Sequence, residues 1–185
     1  MRSPSFVRFA SLALVVIGTS AGVASAAEMN ISVELPQLQV AEYHRPYVAM
    51  WIEREDQSFV ANLSVWYQQK RGGGAGGQGA GESGTKWLNE LRTWWRKSGR
   101  EQTFPIDGVT GPTKPAGIQQ VKLTGDKAPL ASLAAGKYRL VVEAAREAGG
   151  REVVRVPFEW PGKSAQSVTG KGTSELGTVA LNVSP

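Results

Sequence analysis

Cysteine is missing from all 185 residues, and histidine occurs once, as His44. The first absence excludes a thiol nucleophile, iron–sulfur ligation, c-type haem attachment and a thiolate zinc site. The second excludes any multi-histidine metal site, and it leaves a Ser-His-Asp triad only if His44 is the base. Beyond residue 26 there is no apolar run near the roughly 20 residues that a membrane-spanning helix needs. Acidic residues are missing from the first 26 positions.

That acid-free segment reads as an export signal. Arg2 and Arg8 supply positive charge, Phe9 to Ile17 supply a short apolar run, and Ala24-Ser25-Ala26 supplies a small-residue cleavage pattern. No cysteine follows the apolar run, so lipid attachment of the lipoprotein type is excluded, and the twin-arginine route is not supported. Cleavage after Ala26 leaves residues 27–185, a normal length for one domain. The leader carries two of the 21 basic residues and none of the 16 acidic ones, so the mature chain has a net charge of +3. So small an excess, in an exported protein, does not point to nucleic acid.

Short strand-like runs alternate with turn signals along the mature chain. Asn30–Leu38 and Phe59–Tyr67 alternate apolar and polar residues. Pro46 opens Tyr47–Glu53, a nearly continuous apolar run of the kind covered on both faces in a central strand. Gly117–Thr124, Lys137–Glu147, Arg151–Trp160 and Gly177–Ser184 complete the set, with Ala148-Gly149-Gly150 as a hairpin turn. About seven such strands predict a mainly β fold, an immunoglobulin-like β-sandwich. Arg71–Gly84 is glycine-rich and reads as a flexible loop. It lacks the G-K-[ST] ending of a phosphate-binding loop. Thr85–Ser98 reads as one short amphipathic helix, with Trp87, Leu88, Leu91, Trp94 and Trp95 at helical spacing and Gly99 as its stop.

Three features bear on function. Trp94, Trp95, Arg92 and Arg96 on the helix form a candidate partner surface, since aromatic and basic residues together suit a protein, an anionic membrane or an aromatic ligand. Packing against an open sheet face accounts for the same periodicity and is the favoured reading. Trp94 and Trp95 are adjacent, so they face different ways. His44, beside Glu42, reads as a hydrogen-bonded turn residue, because no partner set accompanies it for catalysis. Asp107–Pro115 (DGVTGPTKP) is a loop by composition.

The order of residues in that loop resembles the acceptor motif of covalently flavinylated proteins, D-x-x-[ST]-G-A-[ST]. The resemblance implies FMN linked through its phosphate to Thr113, with Asp107, Thr110 and Gly111 as recognition elements. Glycine admits a close backbone approach to a phosphate, and Lys114 offsets its charge. Pro112 departs from the pattern's alanine and removes one N–H donor. A purely structural turn is the other reading of the same residues.

Four blocks extend the resemblance over nearly all the mature chain: Glu42–Glu53 (EYHRPYVAMWIE), Lys86–Lys97 (KWLNELRTWWRK), Asp107–Gly117 (DGVTGPTKPAG) and Ala135–Arg146 (AGKYRLVVEAAR). In that order they resemble a predicted periplasmic family, domain of unknown function 2271. Leu133–Leu140 also resembles the late strand of immunoglobulin-like modules, in Gly136, Tyr138 and Leu140. The family resemblance implies a periplasmic accessory protein of a membrane redox system. Its implied partners are an inner-membrane PepSY-type reductase and a flavin transferase. A non-enzymatic immunoglobulin-like binding or scaffold module without cofactor is the alternative. No residue set forms a catalytic constellation.

Overall fold

The computed structural model of the chain describes residues 26–69, 84–147 and 149–185. The expected leader and the glycine-rich loop thus lie outside the described residues, apart from Ala26 and Gly84. Nine strands are described: β1 (Glu28–Leu35), β2 (Tyr47–Arg54), β3 (Phe59–Tyr67), β4 (Thr110–Pro112), β5 (Gly117–Thr124), β6 (Gly136–Ala145), β7 (Arg151–Trp160), β8 (Gln166–Lys171) and β9 (Thr178–Ser184). They form a four-stranded sheet in the order β5-β1-β9-β8 and a five-stranded sheet in the order β4-β3-β2-β6-β7.

Side-chain alternation explains the core between the sheets. In β1, Met29, Ile31, Val33 and Leu35 point inward and are buried, while the intervening residues are not. With Val179, Leu181 and Val183 of the neighbouring β9 they meet, across the gap, Val48, Met50 and Ile52 of β2 and Leu140 and Val142 of β6. The apolar run of β2 has the predicted cause: the strand lies at the centre of its sheet, and Val48 to Glu53 are buried on both faces.

The second face of the five-stranded sheet carries a separate apolar layer. Ala49, Trp51, Val65, Tyr67 and Val141 of the sheet pack against Leu88, Leu91 and Trp94 of a helical cover. The cover is not the single helix that spacing predicts. It is a 3₁₀ helix over Gly84–Glu90, then α1 (Arg92–Lys97), then a 3₁₀ turn over Gly99–Glu101. The break falls at Leu91, whose φ of −75° and ψ of 66° are not helical. In one continuous helix the amides of Thr93 and Trp94 would bond to carbonyls four residues back. They donate instead to the Glu143 carboxylate of β6, at 3.0 and 2.8 Å. At the far end Gly99 is sterically required, because a Cβ there would lie 2.7 Å from the rings of Trp94 and Trp95.

The sandwich expectation stands, but the immunoglobulin-like type is not carried over. The strands number nine, not about seven, and β4 runs parallel to β3. Two strands escaped the pattern reading. β4 is three residues long and contains a glycine and a proline; β8 (QSVTGK) is mostly polar.

Carboxylates clasp the β8–β9 loop to both sheets. Glu152 accepts hydrogen bonds from the amides of Thr173, Ser174 and Leu176 and from the Thr173 hydroxyl. Glu175 pairs with Arg146 at 3.0 Å and accepts the Gly150 amide, while Glu34 accepts the Thr178 amide. Partial burial raises the Glu152 pKa, but the Leu176, Thr173 and Ser174 amides and the Thr173 hydroxyl together outweigh it and hold the carboxyl at about 2, below the usual 4.5. The Glu34 carboxyl is also lowered, first by the Thr178 amide.

A depressed folded-state pKa stabilises fully above the unfolded value and is lost as pH falls through the folded one. The Glu152 contribution is therefore present above about 4.5 and lost on the way to about 2. Glu152→Gln should lower stability at pH 7 by about 1–2 kcal/mol after solvent screening, and should flatten the acid limb of the stability curve. Urea unfolding across that range checks it. An acid limb as steep in the variant as in the wild type would show that other carboxylates set it.

Candidate functional site

The expected motif loop is built onto the edge of the five-stranded sheet. The Val65 amide donates to the Val109 carbonyl at 2.9 Å, and the Thr113 amide donates to the Tyr67 carbonyl at 3.2 Å. These bonds pair Val65 with Thr110, Trp66 with Gly111 and Tyr67 with Pro112. Pro112 costs nothing in this ladder, because a parallel edge strand leaves alternate N–H groups unused. Before the strand, Asp107 and Gly108 form an exposed turn, and Gly108 adopts a φ of 68° that favours glycine.

The two threonines of the loop differ. The Thr110 hydroxyl donates to the Ile106 carbonyl at 3.0 Å, which commits it to the turn. The Thr113 hydroxyl makes no hydrogen bond among the described residues, and the residue is only half-buried. Lys114 follows, with its Nζ 5.7 Å from the centre of the Trp66 ring. Gly111 has no positive φ, and a Cβ there would meet only Trp66 Cδ1 at an ordinary 3.7 Å. The fold does not demand glycine at this position. The Gly111 and Thr113 backbone is taken up by the ladder with β3, so one accessible hydroxyl and one ammonium group are what the loop offers a phosphate ester.

The expected partner surface is divided by the structure. Trp94 is fully buried, with its indole N–H donating to Asn62 Oδ1 at 2.7 Å, so it offers no surface to a partner. Trp95 is half-buried against it, the ring centres 6.3 Å apart. Arg92 and Arg96 are exposed. The exposed aromatic of the cover is Trp87, at 45% exposure, with Lys86 Nζ 5.1 Å from its ring centre. The reading on an unbroken helix missed Trp87 because the 3₁₀ segment turns at three residues per turn, not 3.6.

Pattern reading also missed two buried acids on this face. Glu143 pairs with Arg151 at 2.7 Å besides capping α1. Glu53 accepts the Trp51 indole N–H at 2.9 Å and pairs with Lys97 at 3.2 Å, and Lys97 also donates to the Gln57 carbonyl. The second Glu53 oxygen has no hydrogen bond; Arg155 Nε stands 4.0 Å away. In sequence Glu53 ends an apolar run and Glu143 interrupts one, so nothing local marks them as anchors.

Other candidates do not converge. His44 is half-buried between two exposed carboxylates, Glu42 at 3.2 Å and Glu147 at 3.8 Å. No group of three metal-ligating side chains occurs among the described residues. An open cleft of about 280 Å³ beside β6 and β7 is lined by Glu55, Lys137, Arg139 and Glu159 among others, a mixed set of charges without a nucleophile and base in contact. Among the described residues no helix is long and apolar enough to cross a membrane.

The fold thus defines a class: a two-sheet β protein with a tryptophan-rich helical cover and an edge loop that presents a hydroxyl. The chain belongs to the family of predicted periplasmic proteins known as domain of unknown function 2271, whose model matches residues 28–178. Comparison with curated proteins and with solved structures gives no match.

Proposed function

We propose that this protein is a periplasmic accessory carrier for a membrane redox system, with FMN attached covalently at Thr113. One observation carries the reading: Thr113 has the accessible, unbonded hydroxyl of the loop, while the Thr110 hydroxyl is used internally. Bound FMN supplies the electron chemistry. The chain's own residues hold and orient it. Lys114 balances phosphate charge, Gly111 adds no side chain beside the acceptor, and Asp107 marks the exposed turn for a transferase. An inner-membrane PepSY-type reductase is the partner this reading requires.

Intact-mass measurement after co-expression with a flavin transferase tests it. A mass increment of one FMN is expected in the wild type and in Thr113→Ser, and none in Thr113→Ala. Pro112→Ala, which restores the acceptor pattern, should raise the labelled fraction. Wild-type protein without the increment, or Thr113→Ala with it, rejects the reading.

A cofactor-free binding or scaffold module is the second reading. It is favoured by the employment of Thr110–Pro112 as a strand, a structural use that needs no transferase. Colourless protein that still captures a periplasmic partner through the cover would support it.

A further inference from the structure

We propose that the outward side of the helical cover is a docking surface for an anionic lipid bilayer. The first argument is where the charge lies. Residues 84–101 contain five cations and two anions, a net +3, while residues 27–185 contain 19 cations and 16 anions, also a net +3. The entire positive excess of the chain beyond residue 26 therefore equals that of this one cover. The opposite broad face, on the four-stranded sheet, carries Glu28 and Glu34 against Lys122 and Lys171, with one exposed aliphatic side chain, Ile118, and is otherwise mostly small and polar.

The second argument is orientation. Leu88, Leu91 and Trp94 point into the sheet and are fully buried. Arg92 and Arg96 are exposed one turn apart on α1, Arg100 is exposed on the 3₁₀ turn that follows, and Trp87 is exposed beside Lys86. Arg96 and Arg100 form no ion pair among the described residues; Arg92 has only an exposed contact with Glu90 at 3.5 Å. An exposed indole flanked by long cationic stems is the chemistry of a membrane interface, where the ring enters the headgroup layer and the guanidinium groups meet lipid phosphates. Arginine suits phosphate because its planar fork donates in pairs.

The third argument is rigidity. Glu143 caps the start of α1, and Lys97 is tied to Glu53, so the platform is fixed from below. This inference does not depend on flavin at Thr113.

Sedimentation with phosphatidylcholine vesicles, with and without phosphatidylglycerol, tests it on the mature chain. Binding is expected only with phosphatidylglycerol, and should vanish near roughly 1 M salt, where the Debye length is about 3 Å. Each arginine neutralised should weaken binding about fivefold, and Arg92→Gln, Arg96→Gln and Arg100→Gln together about a hundredfold. Trp87→Ala should also weaken it. Equal urea midpoints for these variants would show that they fold. Lys122→Gln with Lys171→Gln, on the opposite face, should leave binding unchanged. The proposal fails if phosphatidylglycerol vesicles do not bind at low salt, even if the same arginines then capture an acidic protein. It fails equally if the opposite-face pair weakens binding as much as the arginines do.

Discussion

Glu143→Ala is expected to cost about 3 kcal/mol and to loosen the helical cover. Glu143 is fully buried, and its two oxygens accept the amides of Thr93 and Trp94 and pair with Arg151. Removing the carboxylate leaves two amides at the start of α1 without acceptors, each worth about 1–3 kcal/mol when buried. Arg151 is 38% exposed and can return to water, so its loss adds little. Glu143→Gln keeps one acceptor oxygen but sets an amide group against an N–H, and should fall between wild type and alanine. Urea unfolding measures the loss, and tryptophan emission reports the cover. A change under about 1 kcal/mol for alanine would show that the cover is held by apolar packing alone.

Trp94→Ala should cost more, about 4–5 kcal/mol. Truncation of a fully buried tryptophan loses its transfer energy and leaves a cavity, about 3–5 kcal/mol in well-packed sites. It also strips the donor from Asn62 Oδ1. Against a typical domain stability of about 5–15 kcal/mol, the loss is large. Trp94→Phe separates the two causes: the ring volume largely remains, and the lost hydrogen bond should cost about 1–2 kcal/mol. Trp95→Ala, at a half-buried site, should cost about half as much as Trp94→Ala or less. The order Trp94→Ala, then Trp94→Phe and Trp95→Ala, is the test; a Trp95→Ala loss equal to that of Trp94→Ala would reverse the assignment of which indole anchors the cover. Both anchors act through α1, so combining Trp94→Ala with Glu143→Ala should cost less than the sum.

The contrast between the two tryptophans shows where pattern reading stops. Spacing placed both in an apolar stripe, and their adjacency required them to diverge. It could not say which one faces the sheet. That depends on the break at Leu91, and the break depends on Glu143, which lies 49 and 50 residues from the amides it holds. A carboxylate in the middle of an apolar strand carries no local sign of so distant a partner. Glu152 is equally silent in sequence, since its four donors lie 21 to 24 residues away.

The motif loop divides in the same way. Its two glycines and two prolines announce a loop, and its residue order carries the flavin-acceptor resemblance. Its pairing with β3 is not written in Thr110–Pro112, because a three-residue parallel strand is made by the neighbour that accepts it. The turn before the strand separates the two hydroxyls, because Thr110 Oγ1 donates to the Ile106 carbonyl there and Thr113 has no such acceptor.

By itself the sequence determined the chemistry that is excluded, the β-rich class, the inward sides of β1 and β2, and the family. Composition and two-residue periodicity are local, and burial acts on them directly. The tertiary structure decided the strand order, the break in the cover, the burial of Trp94 and the exposure of Trp87. It also decided which hydroxyl and which arginines are presented. Apart from the Thr110 hydroxyl, which is held by Ile106 four residues away, these rest on hydrogen bonds and packing between residues far apart in the chain, and no local pattern encodes such contacts.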